Sequence, residues 1–455
     1  MTAPVGSGLA ADRPRARRPN PVIVESNPTV DWMIRLRQLN LALALAAAFG
    51  ALRLGTWAET AICVAGLVLV ALPPKVDIGR IPISVAAVLY VGWIVASLGW
   101  STLDGSEIAL QIRGELVPMV GILVVGVTLP RHKLIQAVLW MIRAVCVLTL
   151  IVVIFSPSAR QLAPSDVGQP PLLGWHGLFF HKNSLSPFLV FGLITVLVWD
   201  RRRLTRWPSL LLIATLLVGS SSITGMSTAI AMTVLYAWVT LYQRQDLNRR
   251  AAFFVSTLVL VSGVVVTTAL TVTSVAGSNL AQAKVAGKDL TFTGRTQIWS
   301  ATLRAIAERP WHGWGWGGLF YDPPSPRTAQ IWNEIGWKSP GAHNGILEVL
   351  AQFGLIGLML FLALFVPLIA WSIRLLRSGS RFAVWVALVS GAILTISFSE
   401  GSFSGVWLTV IILLRLLTFQ PAGGPGAVDI DVVAPAPDRS ADERERARFR
   451  HPTAR

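Results

Sequence analysis

Charged residues are scarce in this chain, and cysteines are scarcer. Only 14% of the residues are charged while 53% are hydrophobic, a balance that excludes an ordinary soluble domain and is typical of an integral membrane protein. The two cysteines, Cys63 and Cys146, both lie within apolar runs. They provide neither a disulfide framework nor a Cys-x-x-Cys metal pair, so we expect them to be small packing residues.

Acidic residues are also few, at 23 Asp and Glu against 39 Lys and Arg, which leaves a net charge of +16. Such basicity is common in nucleic-acid-binding proteins. Here, however, the basic residues lie in short clusters between apolar runs and not in a stripe with interleaved aromatic residues. This is the distribution that the positive-inside rule predicts. We therefore expect the membrane to be a partner and nucleic acid not to be one.

Apolar runs near twenty residues long predict an all-α, polytopic protein with about twelve transmembrane helices. The approximate bounds of the runs are 39–55, 57–73, 81–100, 114–130, 133–156, 176–199, 208–223, 225–242, 251–273, 345–371, 382–398 and 402–419. Basic clusters occupy alternate connections, which places both termini in the cytoplasm. The predicted divisions are a cytoplasmic tail (1–38), nine helices (39–273), an outward catalytic loop (274–344), three helices (345–419) and a disordered cytoplasmic tail (420–455).

The long polar loop, from about Ser274 to Ala342, is the main departure from this series of spans. Loops of such length are uncommon and are usually functional. The six tryptophans from Trp299 to Trp337 fit either an interfacial aromatic belt or platforms for sugar rings, and we favour the belt for most of them. No His, Cys, Asp or Glu cluster at metal-ligand spacing occurs in the loop, so we expect no metal site.

One stretch of the loop predicts an amphipathic helix, from Thr296 to Arg309. Trp299, Leu303 and Ile306 fall on one face at helical spacing, and Pro310 marks the end of the helix. This face could lie against the outer leaflet of the membrane.

Three adjacent polar residues, His181-Lys182-Asn183, stand at the outer start of the sixth predicted span. Lys182 could simply extend its ammonium group to the interface. Three such residues are nevertheless costly at the entrance to a span unless they face a polar cavity. We therefore favour a functional interpretation for this segment.

Two further polar positions lie on the same predicted side of the membrane. Arg295 stands near the start of a helix, where the macrodipole favours acids, so either an anion such as phosphate or solvent must stabilise its charge. His343 and Asn344 precede the tenth span. A helix N-terminus disfavours the imidazolium form, so we expect a neutral His343 that can accept a proton, unless it is an ordinary interfacial histidine.

Together these segments resemble the O-antigen ligase/polysaccharide polymerase family. The motifs that carry the resemblance are Gly177-x-x-x-His181-Lys182-Asn183, Gly294-Arg295-x-x-x-Trp299, Pro310-Trp311-His312-Gly313-Trp314-Gly315-Trp316-Gly317, and His343-Asn344-x-x-Leu347-Glu348 followed by Gly354-Leu355-Ile356-Gly357. Their order, spacing and topological side agree with the family, over about half of the chain. The His-Lys-Asn form looks most like the exopolysaccharide-polymerase branch.

The resemblance implies a metal-independent, cofactor-free glycosyltransferase of the GT-C-like type in the bacterial inner membrane, with a polyprenyl-diphosphate-linked glycan as donor. It implies that His343 is catalytic and that Arg295 binds the diphosphate. The residues expected to contact substrate are Lys182, His181, Asn183, Asn344, Trp299 and Trp314. One departure concerns a family motif with a basic residue between Ser and Thr, because Ile223 stands there in Ser220-Ser221-Ser222-Ile223-Thr224. If a second cation is needed, Lys182 is the candidate.

The expected chemistry needs few groups. A diphosphate is already a good leaving group, so the reaction requires cations for the developing negative charge and a base for the acceptor hydroxyl. Direct displacement would invert the anomeric centre. A two-carboxylate hydrolase is less consistent with the sequence, because Asp322, Glu334 and Glu348 show no pairing.

Several alternatives remain open at this stage. The acceptor could be a growing glycan, as in a polymerase, or a lipid or protein, as in a ligase. A lipid-linked glycan flippase is the alternative from another class, and charges from both halves lining a central cavity would favour it. An outward pocket joining His343, Arg295 and Lys182 would favour the enzyme. Ionisable residues within the predicted spans are few, which is unlike an ion-coupled transporter.

Overall fold

The computed structural model describes residues 28–52, 56–72, 83–160, 174–243, 284–285, 288–289, 293–321, 324–398, 400 and 405–419. The predicted ninth span, the tail 420–455 and most of the predicted tail 1–38 lie outside these ranges. So does most of the loop before residue 293.

The first part of the described chain is mostly helical. Its α-helices are α1 (Pro28–Ala48), α2 (Thr56–Ala71), α3 (Val85–Ser97), α4 (Gly105–Gln111), α5 (Val117–Thr128), α6 (Arg131–Phe155), α7 (Lys182–Trp199), α8 (Arg203–Ser220) and α9 (Ile223–Gln243). Short 3-10 turns follow α3 (Leu98–Trp100) and α6 (Pro157–Arg160), and a π-helical turn (Ile112–Leu116) joins α4 to α5.

The second part begins with two short strands, β1 (Lys284–Val285) and β2 (Lys288–Asp289), paired antiparallel with Lys284 opposite Asp289. Its α-helices are α10 (Thr293–Glu308), α11 (Pro326–Ile335), α12 (Gly345–Leu375), α13 (Arg381–Ser397) and α14 (Gly405–Leu417). A 3-10 turn (Leu376–Ser378) connects α12 to α13.

Five helical segments of the described chain are long and apolar enough to cross a membrane: Gly105–Thr128, Arg131–Phe155, Lys182–Trp199, Ile223–Gln243 and Gly345–Leu375. Shorter apolar helices cover Trp57–Ala71, Val85–Trp100, Arg381–Ser397 and Gly405–Leu417. Apart from the two short strands β1 and β2, the described chain is helical, and the prediction of an α-helical, multi-pass membrane protein is confirmed, whereas the count of twelve spans stays a prediction. The largest difference between predicted and observed bounds is at the first span. The predicted run is 39–55, whereas α1 begins at Pro28 and ends at Ala48.

Helix α7 is the central helix of the described bundle. Of its apolar window 78% is buried, against 28–39% for the other four long segments, because α6, α8, α9 and α13 all pack against it. Phe188 and Leu189 are fully buried, and even Lys182 at its first turn is only 6% exposed. The lysine at the first turn of α7 is therefore enclosed by protein.

The loop forms a hydrophobic cluster of its own, in which α10 packs against α11 and α12. The predicted helix in this region is found as α10 (Thr293–Glu308), and the face that packs on protein differs from the predicted apolar face, whose placement against the outer leaflet stays a prediction. Ile298, Ala301 and Ala305 are the buried positions, while Leu303 is 52% exposed. The small alanines allow α11 and Trp314 to approach closely, so the packing partners of α10 decide which face is covered.

Helix α12 is broken at Gly354, where φ is +67° and ψ is −167°. The freed backbone groups pair with the loop segment 310–315, through Trp314 N–H to Ala351 O, Gly315 N–H to Gln352 O, Leu355 N–H to Pro310 O and Ile356 N–H to Trp311 O. The indole N–H of Trp93 donates to the carbonyl of Phe353 (3.0 Å). Non-helical backbone at membrane depth is tolerated only where protein satisfies it in this way.

Glycines allow the loop segment to approach the break. A Cβ on Gly354 would lie 2.3 Å from the carbonyl of Trp311, and one on Gly313 would lie 2.5 Å from that of Gln352. Both glycines also have positive φ, which other residues adopt only at a cost. The Trp- and Gly-rich motif thus closes the break in α12, and its Trp314 and Trp316 are buried.

Candidate functional site

Three of the residues singled out in the sequence contact one carboxylate, that of Glu400. The Nη2 of Arg295 lies 3.4 Å from Glu400 Oε1, and the side-chain amide of Asn183 donates to the same oxygen at 3.1 Å. His343 Nδ1 lies 3.3 Å from the other oxygen, Oε2. Glu400 follows the C-terminal end of α13. We call Arg295, His343, Asn183 and Glu400 the Glu400 cluster.

Three helix N-termini bring these residues together. Asn183 is the second residue of α7, Arg295 is the third of α10, and His343 lies just before Asn344, the N-cap of α12. The N-terminal end of a helix carries partial positive charge and exposed N–H groups. The meeting of three such ends, with one arginine, creates a strongly anion-attracting region. In this structure the Glu400 carboxylate occupies it.

The backbone at His343 is held in the left-handed region, with φ of +51°. Histidine adopts this conformation more readily than most residues, but it still needs support from its surroundings. Ala342 supplies that support: its N–H donates to Glu348 Oε1 (2.5 Å) and its carbonyl accepts from Trp299 Nε1 (3.0 Å). Neighbouring residues thus fix the backbone that presents the His343 imidazole.

Asn344 and Trp299 also fix the segment that carries Glu400. The side chain of Asn344 caps α12 by accepting from the N–H groups of Ile346 and Leu347, and its Nδ2 lies 3.4 Å from the carbonyl of Phe398. The Trp299 and Phe398 rings meet edge to face, with centroids 6.1 Å apart. Asn344 and Trp299 therefore act as structural supports of the site in this structure.

His181 caps α7 through its ring, since Nδ1 accepts from the N–H of Asn183 (3.1 Å). Burial, together with the nearby charge of Lys182, lowers the pKa of His181 below its usual value. The imidazole is therefore neutral near pH 7, as an acceptor must be. His181 orients the first turn of α7 and does not contact Glu400 through a hydrogen bond.

The buried side chain of Lys182 runs toward the end of α8. A Cβ on Gly174 would lie 3.3 Å from Lys182 Nζ and 2.9 Å from the carbonyl of Ser220. Ser220 opens the segment Ser220-Ser221-Ser222-Ile223-Thr224, in which the resemblance predicts a basic residue at position 223, and Ile223 itself is 59% exposed. The lysine thus brings positive charge close to this segment.

The tryptophans divide into buried and exposed sets. Trp314 is buried, donates from Nε1 to the carbonyl of Ala305 (2.8 Å) and lies under the Arg309 guanidinium at 4.1 Å. It belongs to the hydrophobic cluster of the loop. Trp337 is 42% exposed, and its ring centroid lies 6.3 Å from that of His343. An exposed indole beside the imidazole offers a flat apolar surface at the edge of the site.

The motifs did not indicate Glu400, and they did not single out Trp337 among the six tryptophans of the loop. Glu400 is a lone acid between the last two predicted spans, in a connection that charge alternation places on the same side as the long loop. This predicted location, on the same side of the membrane as Arg295 and His343, was the sequence signal that could have identified Glu400. Within the part of the chain that the structure describes, no group of three or more His, Cys, Asp or Glu side chains could hold a metal ion.

Outside the Glu400 cluster, the acidic side chain of Glu115 lines a separate, mostly apolar cleft. The π-helical turn between α4 and α5 carries Glu115, which lines this cleft together with Trp316, Phe353 and Leu408. Members of the Glu400 cluster do not line it.

The chain shows no match to a curated protein. Residues 208–362 match the family model described as O-Antigen ligase. The matched range runs from α8 to the middle of α12 and includes Arg295, His343 and the break at Gly354, while Asn183 and Glu400 lie outside it. This match supports the assignment of the chain to the O-antigen ligase/polymerase family.

Proposed function

We propose that this protein is a membrane glycosyltransferase that transfers or polymerises a polyprenyl-diphosphate-linked glycan during surface polysaccharide assembly. The observation that carries the proposal is the meeting of Arg295 and His343 at three helix N-termini, inside a chain with the O-antigen ligase domain. A cation with a base beside it is the set of groups that the reaction requires.

In the proposed reaction an acceptor hydroxyl oxygen attacks the anomeric carbon of the donor glycan. The bond from that carbon to the diphosphate oxygen breaks, and polyprenyl diphosphate leaves with the bonding electron pair. The hydroxyl proton passes to His343. Because the oxygen attacks opposite the leaving group in a single displacement, the configuration at the anomeric carbon inverts.

Arg295 is the proposed diphosphate ligand. Its guanidinium can contact two phosphate oxygens at once and stays charged. The N-termini of α7 and α12 add partial positive charge for the growing negative charge on the leaving group. Lys182 is the proposed second cation, acting near Ser220 at the end of α8, shortly before Ile223 at the start of α9. With these groups in place, the proposed mechanism has no metal and no cofactor.

His343 is the proposed general base. The contact of Nδ1 with Glu400 Oε2 favours the tautomer with the proton on Nδ1, which leaves Nε2 to accept the acceptor's proton. Trp337, exposed beside the imidazole, is the proposed stacking surface for a sugar ring of the acceptor. Trp314 is less suited to contact substrate because it is buried.

The proposal places the protein in the bacterial inner membrane, with twelve spans, both termini in the cytoplasm and the Glu400 cluster on the outer side. The architecture would be GT-C-like. The acceptor is either the growing glycan, which defines a polymerase, or a lipid or protein, which defines an O-antigen-type ligase. These alternatives share the donor chemistry described above.

The direct test is incubation of the purified full-length protein with a polyprenyl-diphosphate-linked oligosaccharide. We expect longer glycans and release of polyprenyl diphosphate, unaffected by a metal chelator. The alternative of a lipid-linked glycan flippase is tested with the same donor, fluorescently labelled, in proteoliposomes. Movement of the donor across the bilayer without any lengthening or transfer of glycan would contradict the enzyme and support the flippase.

A further inference from the structure

We propose that Glu400 is a positioning residue that orients His343 and holds the phosphate-binding position on Arg295 until the donor displaces it. This inference rests on the proposed function and adds a residue from outside the matched domain. Glu400 would couple donor binding at Arg295 to the activity of the base His343, since both residues contact its carboxylate.

The geometry divides the carboxylate into two ends. Oε2 lies against His343 Nδ1 (3.3 Å), while Oε1 lies against Arg295 Nη2 (3.4 Å) and accepts from Asn183 (3.1 Å). One end can therefore keep its contact while the other exchanges partners. A carboxylate on the Nδ1 side of a histidine fixes the tautomer and ring orientation and stabilises the imidazolium that forms during proton transfer.

The contact with Arg295 is suited to exchange. Charge-assisted N–H···O hydrogen bonds are usually about 2.7–2.9 Å long, so 3.4 Å is a loose contact. The side chains are 28% (Arg295) and 19% (Glu400) exposed, and partly exposed ion pairs contribute little to stability. A diphosphate carries more negative charge than one carboxylate and accepts two N–H donors of Arg295 at once, so it would displace Glu400 Oε1.

Displacement has a consequence for His343. While Arg295 lies beside Glu400, its positive charge partly cancels the electrostatic effect of the Glu400 carboxylate on His343. When the guanidinium moves to the diphosphate, that carboxylate acts on the imidazole with less compensation and favours proton uptake from the acceptor. His181 and Glu348 also interact electrostatically with His343, and Lys182 and His176 act on His181. Donor binding would thus precede and promote activation of the acceptor.

The test compares Glu400→Gln with Glu334→Gln in the full-length protein. Glu334 pairs with Arg304 on the exposed side of the loop, so it is a matched control with the same change in charge. At saturating donor we expect Glu400→Gln to lower turnover by about 10- to 100-fold, in the range of orienting groups around a histidine. The donor KM should stay equal or fall, because a competing anion has been removed. Glu334→Gln should behave as wild type.

Farnesyl diphosphate, which carries a diphosphate on a short isoprenoid, serves as a binding probe that needs no glycan. We expect Glu400→Gln to bind it at least as tightly as wild type and Arg295→Ala to lose most binding, with farnesol as the control for the isoprenoid. We also expect the pH at which turnover is half-maximal to shift in Glu400→Gln. Glu400→Asp, which keeps the charge, should recover part of the lost turnover.

Wild-type turnover in Glu400→Gln, while His343→Ala is inactive, would overturn this inference and leave the proposed function intact. A weaker farnesyl diphosphate affinity in Glu400→Gln would overturn it as well. A parallel fall in turnover, donor affinity and unfolding temperature would show that Glu400 only ties the outer segments together. Activity retained in His343→Ala and Arg295→Ala would instead reject the proposed function itself.

Discussion

The break in α12 gives a sharp prediction, for Gly354→Ala. The added Cβ would lie 2.3 Å from the carbonyl carbon and oxygen of Trp311 and 2.4 Å from the backbone nitrogen of His312. These are backbone atoms, so no side chain can rotate away. Either the loop segment 310–315 moves off α12, or the backbone at residue 354 changes its conformation.

Both outcomes cost stability. A φ of +67° with ψ of −167° is a conformation essentially restricted to glycine, and holding alanine there costs about 1–3 kcal/mol. Moving the segment away breaks at least the two hydrogen bonds donated by Leu355 and Ile356, at about 0.5–1.5 kcal/mol each. If the segment moves while alanine keeps this conformation, the two costs add, and we expect Gly354→Ala to destabilise the protein by about 2–6 kcal/mol.

The matched control is Gly336→Ala. Gly336 also has positive φ (+80°), at the C-terminal cap of α11, but a Cβ there meets nothing within 4 Å. Gly336→Ala therefore measures only the cost of holding alanine at positive φ, about 1–2 kcal/mol. Thermal unfolding in detergent should show a clearly larger loss for Gly354→Ala than for Gly336→Ala. Equal losses would refute the conclusion that the motif closes the break in α12.

Two further predictions concern the substrate side and the topology. Trp337→Ala should raise the acceptor KM severalfold, as expected from the loss of about 1 kcal/mol of stacking. Farnesyl diphosphate binding should stay unchanged, and Trp337→Phe should retain most activity. A change in donor binding would contradict the acceptor role. Leu303→Cys should react with an impermeant thiol reagent from outside intact cells. Background labelling should be low because Cys63 and Cys146 are buried. Labelling only after permeabilisation would reverse the proposed orientation.

The helices could be predicted because apolar composition over about twenty residues is a local property that selects a membrane-spanning helix. Each predicted run within the described residues overlaps a helix. Their bounds were less predictable, as α1 shows, because polar residues such as Arg37 continue the helix with help from other segments. The Arg37 guanidinium donates to the carbonyls of Leu69 and Leu72 at the end of α2, a contact that no local pattern contains.

The motifs singled out residues that meet in the structure, but they did not indicate the contacts that each residue makes. Arg295 and His343 were singled out, and the structure places both on Glu400. The motif around Trp314 gave no sign that it closes the break at Gly354, since that role depends on groups more than thirty residues away. Glu400 was missed because one acid in an apolar region gains meaning only from its partners.

The central claim is that His343 accepts the acceptor's proton beside a diphosphate held by Arg295. The most direct test measures glycan transfer from a polyprenyl-diphosphate-linked oligosaccharide by wild type, His343→Ala, His343→Gln and Arg295→Ala, with farnesyl diphosphate binding recorded for each. Both His343 variants should lose about 10²–10⁴-fold in rate and keep farnesyl diphosphate binding, whereas Arg295→Ala should lose both. Near-wild-type glycan length and yield in His343→Gln, with normal membrane insertion, would contradict the catalytic assignment.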